Sequence, residues 1–175
     1  YGGVASGTMI YGMSWIFGMA GSLDYAAIQA ALGQAGINKA ALFVAFIFIM
    51  AGFGYKIVFV PFHMWSPDVY QGAPTAVTAF MAVASKAASF AAFLRVFVVG
   101  LGGFKADWSD LFVLLAVLTL VLGNVVAIVQ TNIKRMLAYS SIAHAGYALI
   151  GLAAAGRSAG ESGGTPGIAS VRLYL

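Results

Sequence analysis

Residues 111–129 read Leu-Phe-Val-Leu-Leu-Ala-Val-Leu-Thr-Leu-Val-Leu-Gly-Asn-Val-Val-Ala-Ile-Val. No charge interrupts them, and roughly 20 such residues suffice for a helix to cross the hydrocarbon core of a bilayer. Working outward, residues 4–20, 39–62, 74–99 and 133–155 carry a similar apolar weight and 168–175 open another such run, while residues 61–73 read as a polar, Pro-punctuated turn and 156–167 as a small, polar loop. Between the first two, Asp24 caps a short helix to Leu32. Its apolar residues recur at helical spacing, which predicts a helix lying in the membrane interface. The expectation is an all-α, polytopic transmembrane helix bundle of about five complete helices plus a truncated sixth. Residues 1–175 form a single transmembrane region.

Composition agrees. The 175 residues are 62% hydrophobic and 8% charged, with mean hydropathy +0.95. Soluble domains are about 45–50% apolar and about 25% charged. Nine Lys and Arg against five Asp and Glu are too few to coat a water-soluble body. That excludes a soluble enzyme, a disordered chain and a nucleic-acid binder, and leaves the lipid bilayer as the first partner. Zero Cys removes disulfides, thiolate metal sites and iron–sulfur ligation. Two His, one near a turn and one mid-helix, make no haem site. Gly52-Phe-Gly54 lacks the strand and third Gly of a dinucleotide fingerprint. No cofactor is expected in this chain. The absence of a Met at Tyr1 and the stop within 168–175 point to an internal segment of a longer polytopic chain.

Three side chains stand out because they sit in apolar spans. Lys86 lies near the middle of 74–99, and a charge at the bilayer centre costs about 2.5–3.5 kcal/mol on insertion scales. It is expected to face a bundle interior, with Ser85 and Ser89 as possible lining. Lys56 precedes Pro61, which removes a donor to the Ile57 carbonyl and clashes with it, so a broken helix is expected near Lys56–Pro61. A charge beside an interrupted intramembrane helix is the pattern of ion pathways. His144 shares a polar stripe with Ser140, Ser141 and Tyr147, suited to proton relay. Lys134 and Arg135 read as headgroup anchors, Trp108 as an interface aromatic, and Asn124 as interhelical glue. The Lys and Arg counts in the loops do not decide the orientation.

At Pro61-Phe-His-Met-Trp-Ser-Pro-Asp-Val-Tyr-Gln-Gly-Ala-Pro-Thr75 the chain resembles the antiporter-like membrane subunits of respiratory complex I, the NADH–quinone oxidoreductase. Tyr11-Gly-Met-Ser14, Gly21-Ser-Leu-Asp24 and Asn132-Ile-Lys-Arg-Met-Leu-Ala-Tyr-Ser-Ser-Ile-Ala-His-Ala-Gly-Tyr147 fit the same family. The resemblance implies a segment covering helices six to eleven of a proton-translocating translocase subunit. In that family two lysines thirty residues apart carry the proton path, and Lys56 and Lys86 match them. His144 matches a polar position on the central axis. The implied partners are other membrane-arm subunits and protons. NADH, FMN, iron–sulfur clusters and quinone belong to other subunits, and the setting is the inner (plasma) membrane of a bacterium. Alternatives are a subunit of a multi-subunit cation/proton antiporter, a structural spacer, or quinone binding by the aromatic-rich second span. The family also pairs the first lysine with a Glu two helices earlier. Sequencing upstream of Tyr1 should therefore reveal a lone Glu in the preceding apolar span; a span without one would remove the partner of Lys56.

Overall fold

A computed structural model describes residues 1–34 and 37–157. The helices are α1 (Gly2–Ala20), α2 (Tyr25–Leu32), α3 (Lys39–Ile57) and α4 (Trp65–Gly72), then α5 (Thr75–Gly100), α6 (Lys105–Ile128) and α7 (Ile133–Arg157). Among the described residues there is no strand. Four helices are long and apolar enough to cross a membrane, namely α3, α5, and the parts Trp108–Ile128 of α6 and Ile133–Ala154 of α7. The fifth expected helix, α1, forms over 19 residues but is diluted by Gly and Ser and packs along α3. The residues expected as a loop beyond Arg157 and the run 168–175, with Glu161 and Arg172, lie outside the described residues.

The caps follow the sequence. Asp24 Oδ2 accepts from Ala27 N at 3.3 Å and opens α2. Asn38 Oδ1 accepts from Ala40 N and Ala41 N at 3.1 and 3.2 Å and opens α3. These side chains satisfy N–H groups that a helix start leaves without partners. The helix α2 does more than lie in the interface, because Ile28 and Leu32 are buried in the core.

Close approach between helices rests on glycine. A Cβ at Gly12 of α1 would sit 2.8 Å from the Ala45 carbonyl oxygen of α3, and one at Gly123 of α6 would sit 2.9 Å from the Ala143 nitrogen of α7. Such positions let backbones touch where lipid supplies no hydrophobic drive for association. Between the helix pairs lies an aromatic core. The rings of Phe93 and Phe97 are 4.5 Å apart, and Phe46, Phe53 and Phe112 pack edge-on or tilted against them. The aromatics of the second span are thus partly internal, although Phe43 is exposed. Trp108 is a correction. It is 2% exposed and donates from Nε1 to the Leu101 carbonyl at 3.3 Å, because α6 begins at Lys105 and carries it into the core.

Two further expectations change. The second span ends at Ile57, short of residue 62. Val58 takes a left-handed conformation, φ 70°, which β-branched residues adopt only under strain. Residues 61–73, expected as a polar turn, contain the eight-residue helix α4. Pro67 is tolerated there because first-turn N–H groups have no partner inside the helix.

Adding a methyl at Gly123 forces α6 and α7 apart. Gly123→Ala should cost about 1–3 kcal/mol, read as a lower thermal midpoint of the detergent-solubilised protein.

Candidate functional site

The break between α3 and α4 is closed by hydrogen bonds that reach across the chain. The Gly54 carbonyl accepts from Val58 N at 2.8 Å and from Phe59 N at 3.3 Å. Trp65 Nε1 donates to the Tyr55 carbonyl at 3.1 Å, and the two rings stack 4.8 Å apart. Val60 N donates to Thr119 Oγ1 at 3.1 Å. That hydroxyl, wholly buried on α6, passes its own proton to the Leu115 carbonyl at 2.6 Å. Thr119 escapes sequence reading because a single Thr in an apolar span is usually satisfied within its own helix.

From this break α4 runs back under α7. Arg135 Nη1 donates to Asp68 Oδ1 at 2.5 Å and to Gln71 Oε1 at 3.0 Å, while Lys134 Nζ donates to the Ala73 carbonyl at 3.1 Å. The two cations thus tie α4 to α7. Lying at the surface, the ion pair contributes little energy; its effect is to fix the register of α4 on α7.

Lys86 sits where α4, α5 and α7 meet. Its side chain is 7% exposed. Nζ donates to Ser141 Oγ at 2.5 Å and to the Ser141 carbonyl at 2.9 Å. Burying an ammonium is costly unless its protons find acceptors, and one residue supplies two. A cavity of about 590 Å³ adjoins it, lined by Tyr70 from α4, by Thr78 and Lys86 from α5, and by Lys134, Ser140, Ser141 and His144 from α7. Among the described residues, no carboxylate is in that lining.

The predicted residues separate. Lys86, Ser140, Ser141 and His144 come together at the cavity. The His144 ring lies 6.0 Å from that of Tyr147, which is outside the lining. Ser85 and Ser89 also lie outside it; the Ser89 hydroxyl donates to the Ser85 carbonyl at 2.8 Å, where the winding of α5 returns from a π turn at Met81–Ser85 to α. Such π turns recur at functional sites. Lys56 is exposed at the end of α3 and does not line the cavity. Asn124 Nδ2 bonds within its own helix, to the Leu120 carbonyl at 2.9 Å. Tyr70 was missed because it lies in the Gly- and Pro-punctuated stretch read as a turn. The four-residue spacing from Ser66 was the available signal.

The family model for the transmembrane part of NADH:quinone oxidoreductase and Mrp antiporters matches residues 1–166. The chain belongs to this family. Among curated relatives, NADH-quinone oxidoreductase subunit N of Moorella thermoacetica is 55% identical over 86% of this chain and 32% of its own length. Subunit N of Rhodospirillum rubrum is 46% identical over 99% of this chain and 34% of its own. The chain therefore spans about a third of the relatives it matches. A chain of respiratory complex I from Thermus thermophilus superposes with TM-score 0.70 and 36% identity, over 99% of this chain and 37% of that one. A chain of the Mrp complex from Dietzia shares the fold, with TM-score 0.78 and 23% identity, over 99% of this chain and 32% of that one. The protein is a multi-pass membrane protein of the antiporter-like fold.

Thr119→Val keeps the shape but removes the acceptor of Val60 N. Leaving that N–H unpaired should cost about 1–3 kcal/mol, measurable as a fall in thermal midpoint that Thr119→Ser does not reproduce.

Proposed function

We propose that this chain is part of a proton-translocating membrane-arm subunit of a bacterial NADH–quinone oxidoreductase, with Lys86 as the central protonatable residue. One observation carries the reading: a buried lysine, held among the described residues by the two neutral oxygens of Ser141, beside a half-open cavity of about 590 Å³. An ammonium only donates, whereas the neutral amine also accepts. Ser141, whose hydroxyl does both, therefore serves either protonation state of Lys86. Ser140 and His144 lead away from Lys86 along α7, and His144 with its neighbour Tyr147 is the onward relay. Ser85 and Ser89 drop out of the path, since neither lines the cavity. Lys56, at the broken end of α3, acts by charge. A positive charge brought nearer to Lys86 opposes its ammonium form and favours release of the proton; a charge drawn away permits uptake.

The redox steps belong to other subunits of the complex, which hold NADH, FMN, iron–sulfur clusters and quinone. Neighbouring membrane-arm subunits are the partners, and the plasma membrane is the setting. The likeness to an Mrp complex chain favours one second reading, a subunit of a cation/proton antiporter. Deleting the gene separates them. Loss of NADH–quinone activity supports the first reading, and loss of cation tolerance with that activity intact supports the second.

Lys86→Ala in the assembled complex should abolish NADH-driven acidification of inside-out vesicles by this subunit. Lys86→Arg should do so too, because a guanidinium does not give up its proton. Acidification by Lys86→Ala at the wild-type rate would remove Lys86 from the centre. Lys56→Ala should slow translocation without abolishing it.

A further inference from the structure

A second cavity, of about 420 Å³, opens at the end of α3 opposite the break. Lys39, Phe43 and Phe46 of α3 line it, with Leu101 and Phe104 of the loop after α5 and Trp108 of α6. It shares no lining residue with the Lys86 cavity. Lys39 and Trp108 are the first residues of two stretches apolar enough to cross a membrane, and Gly100, next to Leu101, is the last of a third. The cavity therefore lies at one face of the bilayer, where headgroups give way to acyl chains.

The walls are fixed before anything binds. Trp108 Nε1 donates to the Leu101 carbonyl at 3.3 Å, and its ring packs edge-on against Phe112 and Phe97, 5.3 and 6.4 Å away. Phe46 packs edge-on against Phe97 at 5.3 Å. The aromatic core behind them keeps both rings from folding in to close the space. Phe46, Leu101 and Trp108 are buried, whereas Lys39 and Phe43 are exposed and mark the open side. Hollows of about 300–1,000 Å³, mostly apolar with a few polar groups, are the usual form of a small-molecule site. Here the charged lining residue is Lys39, and among the described residues no carboxylate joins it. Its ammonium has no ion-pair partner among the described residues. Asn38 Oδ1 already occupies Ala40 N and Ala41 N, so attraction for an anion comes from the amine and not from the helix end.

The occupant needs a negative head at the amine and an apolar tail narrow enough for the hollow. A transmembrane helix is about 10–12 Å across, so about one turn of it would exhaust this volume. An acyl chain is a single file of methylenes, each of about a water's volume, about 30 Å³, so on the order of a dozen fit. We propose that the cavity holds one acyl chain of an anionic phospholipid, whose headgroup phosphate pairs with Lys39. The lipid fills the gap between the first turns of α3 and α6. A zwitterionic lipid fits less well, because its own ammonium competes with Lys39 for the phosphate.

The test uses the whole assembled complex in phosphatidylcholine vesicles that carry a trace of lipid with a diazirine on one acyl chain. Labelled peptides are mapped by mass spectrometry, and assembly of each variant is checked on native gels. Photoactivatable phosphatidylglycerol should label residues 39–46 and 101–108 about fivefold more than phosphatidylcholine bearing the same group, the effect of one lysine on an anionic headgroup. Lys39→Gln should erase that difference, and Lys39→Arg should keep it. Ala40, which also lines the cavity, offers a variant that leaves the charge alone. Ala40→Trp fills the open side and should remove the label from both segments. Equal labelling by the two lipids overturns the proposal. So does the absence of label from both segments while the same lipid labels the complex elsewhere, since a protein segment then fills the cavity. These readouts are independent of Lys86 and of proton translocation, so their failure leaves the functional reading standing.

Discussion

Backbone N–H and C=O groups must find partners inside a membrane, and the interruption at residues 58–64 is where this chain meets that constraint. A helix satisfies itself. A helix that stops within a bundle needs donors and acceptors from elsewhere. Here they come from Trp65, which serves the Tyr55 carbonyl, and from Thr119, which serves Val60 N. Both lie beyond the break in sequence and press the interrupted segment against its neighbours. The chain leaves α3 through a strained Val58 and starts again as α4 lying against α7. That placement brings Tyr70 to Ser141, and so to Lys86. Solving the backbone problem at the break is what gives the cavity its polar wall.

The spans were legible because they depend on length and apolar weight, which survive any arrangement of the helices. Lys86 was legible for the same reason: a charge in an apolar span is costly wherever its helix points. Its partners were less so. Ser85 and Ser89 are near in sequence, but adjacent residues on a helix are turned about 100° apart, and a π turn shifts the register again. Ser141, on another helix and 55 residues away, showed only as part of the stripe with His144. The helix α4 was hidden more thoroughly. Its eight residues include Pro67 and Gly72 and carry weak helical propensity. It is helical because Arg135 and Lys134 of α7 hold its side chains and its C-terminal end. Local sequence does not report such a tertiary cause.

Among the described residues the cavity lining holds no carboxylate, and this bears on how Lys86 can act. An ion pair buried in low dielectric holds its charge strongly, and removing one partner costs about 3–5 kcal/mol. A lysine so paired would be a structural fixture. With Ser141 as its hydrogen-bond partner, the ammonium is stabilised enough to be buried, and the hydroxyl can turn to donate when the amine is neutral. Both states keep a hydrogen-bond partner. If Lys86 is the protonatable centre proposed above, such a site changes protonation in response to modest fields from nearby charges.

The two lysines therefore differ in a way that their shared spacing conceals. Lys86 finds hydrogen-bond partners within the described residues, in Ser141 of α7. Lys56 lies exposed at the end of α3, and the chain spans about a third of the length of its relatives. What stands against Lys56 in the whole subunit sets its charge balance, whereas Lys86 already has Ser141 against it. A control element acting on a fixed centre needs this asymmetry. The centre must be preorganised so that each proton meets the same geometry, and the control must be open to an outside partner so that its charge can be drawn toward or away from that centre.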